Sequence, residues 1–176
     1  MLQNSFSRLT FTLFFVLTIS ICGNAQTTNY KTYSVFLYSF TKYIEWPTDA
    51  RNGEFVIAVL GNQKLLQEMQ TAVAGRKAGT QTIKIVESKS LDDLNQVHMV
   101  FISDLKSGTT DDVVARLKGK PVLIVTERDG LVKKGAGVSF VVAEDNTLKF
   151  QVNEQALTEH KLKASSAIIS LAVRAI

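Results

Sequence analysis

The stretch EFVIAVLGNQKLLQEMQTAVAGRKAGTQTIKIVE, residues 54–87, decides the fold. Its first part, residues 54–61, is a continuous apolar run closed by Gly61, the pattern of a strand buried on both faces. Residues 63–73 then set Leu65, Leu66, Met69 and Val73 at helical spacing, and residues 81–87 alternate as a strand. Strand, helix and strand in that order predict a β-α-β unit, whose two strands pair in parallel.

The pattern continues toward the C-terminus. VHMVFIS (97–103) is another continuous strand, Thr110-Asp111-Asp112 offers N-cap chemistry for a helix through Val113, Val114 and Leu117, and Pro121 opens the strand PVLIVTE (121–127). GVSFVVAEDNTLKFQVN (137–153) is different, because two strand patterns are joined by Glu144-Asp145-Asn146 as in a β-hairpin, expected at an antiparallel edge. Asn153 is placed to cap a helix over residues 154–159, and residues 165–175 predict a last helix with Ile168, Ile169, Leu171, Ala172 and Ala175 inward. Residues 75–79 and 133–137 read as loops. The expected class is a single α/β domain: a mostly parallel, doubly wound sheet flanked by helices, with a C-terminal antiparallel hairpin.

Before the first strand lies YSVFLYSFTKYIEWP (33–47), an aromatic-rich helix with Tyr33, Phe36, Leu37, Phe40 and Ile44 on one stripe. Pro47 is expected to stop it and to bias Trp46 toward an extended backbone. Further upstream, residues 1–25 carry one charge, Arg8, an apolar run from Phe11 to Cys22, and Gly23-Asn24-Ala25, a small-x-small cleavage pattern. These residues predict a signal peptide cut after Ala25, leaving residues 26–176 as one exported domain. The run falls short of the roughly 20 residues of a membrane span. An uncleaved anchor and a lipoprotein on Cys22 are the alternatives, the second disfavoured by the bulk of Ile21 before the cysteine.

Charge and cysteine content narrow the classes further. The net charge of +4 is small and dispersed along the chain, which argues against a nucleic-acid surface. Cys22 is the sole cysteine, so cleavage leaves no thiol chemistry and no disulfide. His98 and His160 stand apart, with neither H-E-x-x-H spacing nor cysteine to complete a metal set. No G-x-S-x-G elbow, P-loop or G-x-G-x-x-G is present, so neither catalysis nor a cofactor is expected.

In their order, FLYSFTKYIEWP, a strand ending VLG, AGRKAG, HMVFIS, PVLIVTE, GVSFVV, LKFQVN and LKASSAIISLA resemble the YfiR family of periplasmic proteins along essentially the whole exported chain. The resemblance implies a single α/β domain, often dimeric and without catalytic activity. It also implies binding to the periplasmic part of an inner-membrane diguanylate cyclase, which is held inactive, with effects on cyclic di-GMP and biofilm formation. One departure matters: relatives commonly carry a cysteine just before the histidine that matches His98, where this chain has Val97. Control by disulfide formation is therefore not expected here.

Two sets of residues are candidates for contact. Lys42, Tyr43, Glu45 and Trp46 at the helix exit, with Arg76 in the loop 75–79, combine aromatic walls and charges as a ligand or partner site does. Against this, aromatic stripes are usually core, which is the favoured reading for Phe40 and Trp46, and a loop arginine is usually solvated. Tyr33, Ile168, Ile169 and Val173 are the candidates for a partner or dimer surface, with plain packing on the sheet as the competing reading. The expected function is a periplasmic, non-enzymatic regulator that binds and represses a membrane signalling protein. A periplasmic small-ligand binder and an envelope assembly factor are the alternatives.

Overall fold

Strand β2 (Phe55–Leu60) is built from side chains that are apolar at every position, and it occupies an interior position in the sheet. Residues 29–175 are described by the computed structural model; the expected leader, residues 1–25, lies outside them. In chain order the main elements are α1 (Tyr30–Tyr43), β1 (Ile44–Glu45), β2, α2 (Gln63–Ala72), β3 (Lys77–Ala78), β4 (Gln81–Ser88) and β5 (Met99–Ile102). There follow α3 (Thr110–Leu117), β6 (Leu123–Thr126), β7 (Val138–Val142), β8 (Leu148–Val152), α4 (Glu154–Glu159), β9 (Lys163–Ala164), α5 (Ser166–Leu171) and β10 (Arg174–Ala175).

The 8-stranded sheet has the order β10-β8-β7-β6-β5-β2-β4-β3. Strands β4, β2, β5, β6 and β7 are mutually parallel, with Ile57 facing Ile85 on one side and Met99 on the other. The hairpin β7–β8 is antiparallel with Phe140 opposite Phe150, as expected from its turn sequence. The chain leaves β2 through α2 to reach β4 on one flank, then returns to β5 on the other flank. That reversal is the topological switch point of a doubly wound sheet.

Even the uniformly apolar strands sort their side chains by face. Ile57, Val59, Met99 and Phe101 join one core cluster with Leu37 and Phe40 of α1, Leu65 and Met69 of α2, Leu157 of α4 and Ile168 of α5. Ala58, Leu60, Val100, Ile102 and Ile124 join the second with Val113 and Leu117 of α3. Both faces are thus dry, which is why the central strands carry no alternation. Asn153 caps α4 as expected, its Oδ1 accepting the Ala156 N–H at 2.8 Å while its Nδ2 donates to the Val132 carbonyl at 2.8 Å.

Several boundaries differ from the sequence reading. Helix α1 ends at Tyr43, ahead of Pro47, because Ile44 turns extended and pairs with Ala164 in a two-stranded antiparallel ribbon, β1–β9. The last helix stops at Leu171: Ala172 adopts ψ 138° and the chain becomes β10, parallel to β8, so β10 and not the hairpin forms that edge. Of the residues expected inward there, Ile168 is buried, Ile169 and Ala172 are partly buried, and Leu171 is exposed. The loop 75–79 contains β3. Helix α3 has no side-chain cap; Thr110 donates back to the Ser107 carbonyl and Asp111 pairs with Lys134.

Phe140 sits at the centre of the aromatic packing, with ring centroids 4.6 Å from Tyr33, 5.9 Å from Phe36 and 6.0 Å from Phe40. Phe140→Ala is expected to destabilise the domain by about 3–5 kcal/mol through the cavity it leaves. Urea unfolding of the variant, with the slope unchanged and the midpoint lowered, checks this.

Candidate functional site

The segment from Ile44 to Phe55 passes beneath the N-terminal ends of β2 and β5, and two concavities open on either side of it. One, of about 460 Å³, is lined by residues that include Asp49, Glu54, Gln96, His98 and Lys120. The other, of about 400 Å³, is lined by Lys42, Glu45, Trp46, Arg51, Thr80 and Gln81 among others. Between them stands a wedge of Trp46, Phe55 and His98.

The wedge is tied by hydrogen bonds at each side chain able to make one. Trp46 packs edge-on to Phe55 at 4.8 Å and donates its Nε1–H to the His98 carbonyl at 3.2 Å. The His98 ring stacks on Phe55 at 4.8 Å, accepts the Val56 N–H on Nδ1 at 3.1 Å, and places Nε2 2.8 Å from the Ala50 carbonyl. This arrangement requires the tautomer with hydrogen on Nε2. Arg51 closes the turn, its Nε donating to the Trp46 carbonyl at 2.8 Å, and Gln81 Nε2 reaches the Asn52 carbonyl at 3.2 Å. His160 is likewise engaged, Nδ1 lying 3.0 Å from the Lys120 carbonyl. With both ring nitrogens engaged, His98 is thus not set up as a base or a metal ligand. Among the described residues no group of three or more His, Cys, Asp or Glu could hold a metal ion, and no helix is long and apolar enough to cross a membrane.

The structure brings together some of the expected site residues and separates others. Lys42, Glu45 and Trp46 line the second concavity, with Trp46 buried as a wall, and Phe40 lies in the core. Tyr43 is 42 % exposed, and its carbonyl accepts the Ser165 N–H at the start of α5. Arg76 stands beside Lys42: the two cations lie 4.8 and 4.4 Å from the centre of the Tyr38 ring. Tyr33 and Ile168 are buried within their own chain, which corrects their expected place on a surface. Burial raises the pKa of the Tyr33 phenol, and the nearby Glu127, Tyr30 and Asp104 push it the same way. Ile169 is partly buried and Val173 is exposed. Arg51, Thr80 and Gln81 escape sequence reading because nothing in their spacing links them to Trp46; only the fold does.

Comparison with known proteins adds the lineage. The model of the YfiR/HmsC-like family matches residues 30–173, nearly all of the described chain. The chain belongs to this family. Membership in the YfiR/HmsC-like family supports a general role in periplasmic regulation of diguanylate cyclase signalling, regulatory rather than catalytic. No match is found among curated proteins. Among solved structures, the chain is similar to an ABC domain in complex with L-Trp from Streptococcus pneumonia, at TM-score 0.51 and 13 % identity, over 69 % of this chain. It spans 55 % of that structure's length, and at this identity the likeness concerns the fold alone.

Burial lowers the His98 pKa from its ordinary 6.5, with the Ala50 hydrogen bond opposing the shift in part. Protonation would also remove the Nδ1 lone pair that holds the Val56 N–H. Below 6.5 the unfolded chain binds the proton more readily, so stability is full above that pH and declines as pH falls through the lower folded value. His98→Leu is expected to lower stability at neutral pH and to flatten its decline between neutral and mildly acidic pH. Denaturation midpoints measured across that range decide it.

Proposed function

We infer that this chain is a periplasmic contact regulator that binds the periplasmic domain of an inner-membrane signalling protein, a diguanylate cyclase being the partner class, and holds it inactive. The observation that carries the reading is the family match across residues 30–173. The surface at the end of α1 and the start of β10 supports it. There Tyr43, Leu171 and Val173 are 42 %, 65 % and 49 % exposed, beside the partly buried Ile169 and Ala172. Apolar side chains grouped on one exposed segment suit a protein partner. The rigid body behind them, dry on both faces of the sheet, lets such a surface act without reshaping itself.

Export through a leader over residues 1–25, leaving one domain from residue 26, belongs to the same proposal. The reading also restricts the signal. With Val97 beside His98 and no cysteine after Cys22, release of the partner must come from competition or from a ligand, not from thiol oxidation. A second reading, a small-ligand binder, is supported by the 400 Å³ concavity with Lys42, Arg51 and Glu45 around the Trp46 wall. It predicts thermal stabilisation by a ligand found on screening.

Crosslinking from native envelopes tests the main reading. The exported chain is expected to capture a membrane cyclase or sensor, and the double variant Leu171→Glu, Val173→Glu to lose most of that capture while Leu105→Glu, at an exposed position just after β5 and four strands away from β10, retains it. Capture of soluble or outer-membrane components alone, together with unchanged cyclic di-GMP on deletion, would sink the repressor reading.

A further inference from the structure

At the opposite end of the parallel strands the chain builds a second feature, which does not depend on the regulator reading. Ser103 ends β5 and is 2 % exposed; its N–H donates to the Leu60 carbonyl at 3.1 Å and its carbonyl accepts the Lys106 N–H at 3.0 Å. Its hydroxyl has no partner, the one buried side-chain polar atom so placed among the described residues. Elsewhere this chain satisfies its buried hydroxyls: Ser88 bonds the Ser90 carbonyl, Thr110 the Ser107 carbonyl, and Thr126 and Ser139 each other at 2.7 Å. An unmet hydroxyl in so well-satisfied a core is a cost that a ligand would relieve.

The Ser103 hydroxyl faces the turn between β2 and α2. Gly61 in that turn has φ +80°, and a Cβ there would stand 2.7 Å from Ser103 Oγ and collide with Lys106 Cγ. Only glycine lets the backbone approach so closely. The turn opens α2, a 10-residue helix, where Asn62 takes the Leu65 N–H on Oδ1 at 2.9 Å and the Leu66 N–H on its carbonyl at 3.0 Å. The N–H groups of Gln63 and Lys64 have no acceptor among the described residues. They carry the partial positive charge of the helix start. Lys106, whose stem lies over Gly61, makes no ion pair among the described residues. The carboxylates next in line are engaged: Asp104 by Arg128, at 2.6 Å, and Glu127 by the Asp104 N–H, at 2.8 Å.

This place is also the reversal between β2 and β5, outside the carboxyl ends of the strands, where open α/β sheets take their ligands. We propose that the β2–α2 turn binds a phosphate-like oxyanion, free or as the terminal group of a small phosphomonoester, between the Gln63 and Lys64 N–H groups, the Ser103 hydroxyl and the Lys106 ammonium. The Lys106 stem covers the hydroxyl in the anion-free chain and swings outward to let its Nζ meet the ligand. The site is separated by the length of the sheet from the Trp46 concavities, so its occupancy and capture of a partner are independent readouts.

Amide spectra of the nitrogen-15-labelled exported chain test it, titrated with inorganic phosphate and with glycerol 3-phosphate at ionic strength held constant with chloride. Saturable shifts at Gly61, Gln63, Lys64 and Ser103 with either anion are expected, the anion that binds more tightly identifying the source. Lys106→Ala should weaken binding about tenfold, the loss of one charge-assisted hydrogen bond. Ser103→Ala should weaken it as well, yet leave the melting temperature of the anion-free protein unchanged or raised, since no protein hydrogen bond is lost. The proposal is overturned by the absence of saturable shifts at those amides with both anions, or by affinity that is unchanged in Lys106→Ala. A fall in the anion-free melting temperature of Ser103→Ala would overturn it too, by showing that the hydroxyl serves the fold.

Discussion

Helix α1 has no place in a crossover between strands, and its aromatic stripe on the hairpin is the contact on which the rest of the structure depends. Tyr33, Phe36 and Phe40 meet Phe140 of β7, and Phe36 and Phe40 meet Phe150 of β8 at 5.5 and 5.3 Å. Without that lid one face of the sheet would stand open from β5 to β8. The partners lie about a hundred residues apart in sequence, a non-local requirement that slows folding. The ribbon β1–β9 repeats the logic at smaller scale, tying the exit of α1 to the segment that leads into α5.

The β-α-β core was legible because its strands are long apolar runs and its helices obey their period; nothing tertiary competes with patterns that strong. The two-residue strands were not. Ile44-Glu45 and Lys163-Ala164 have no pattern of their own and become strands only by facing each other. In the same way Ala172 leaves the helical conformation because β8 offers an edge that Arg174 and Ala175 can extend, and an apolar helical spacing cannot announce that. Of the candidate site, Lys42, Glu45 and Trp46 were legible as an aromatic helix exit. Arg51 and Gln81 were invisible because their role is to bind backbone carbonyls of a turn whose path is set by the fold. Tyr33 and Ile168 were placed on a surface for want of knowing how much of each stripe the sheet would cover.

The two ends of the parallel strands have distinct characters. At the N-terminal ends the polar groups serve structure: His98 stands in for a backbone acceptor toward Val56, and the turn after Trp46 is closed by Arg51. At the carboxyl ends, hydroxyls, a glycine turn and a helix start converge. The two ends share none of these residues, so either can be altered without touching the other.

Trp46 is the chain's sole tryptophan, and it is buried between the concavities with its indole N–H on the His98 carbonyl. The protein thereby carries a single indole, which light beyond the tyrosine absorption excites selectively, at the seam where α1, β2 and β5 meet. Its emission follows the state of that seam alone, so opening at the exit of α1 can be watched optically, without a label, while the hairpin and the far ends of the strands stay silent.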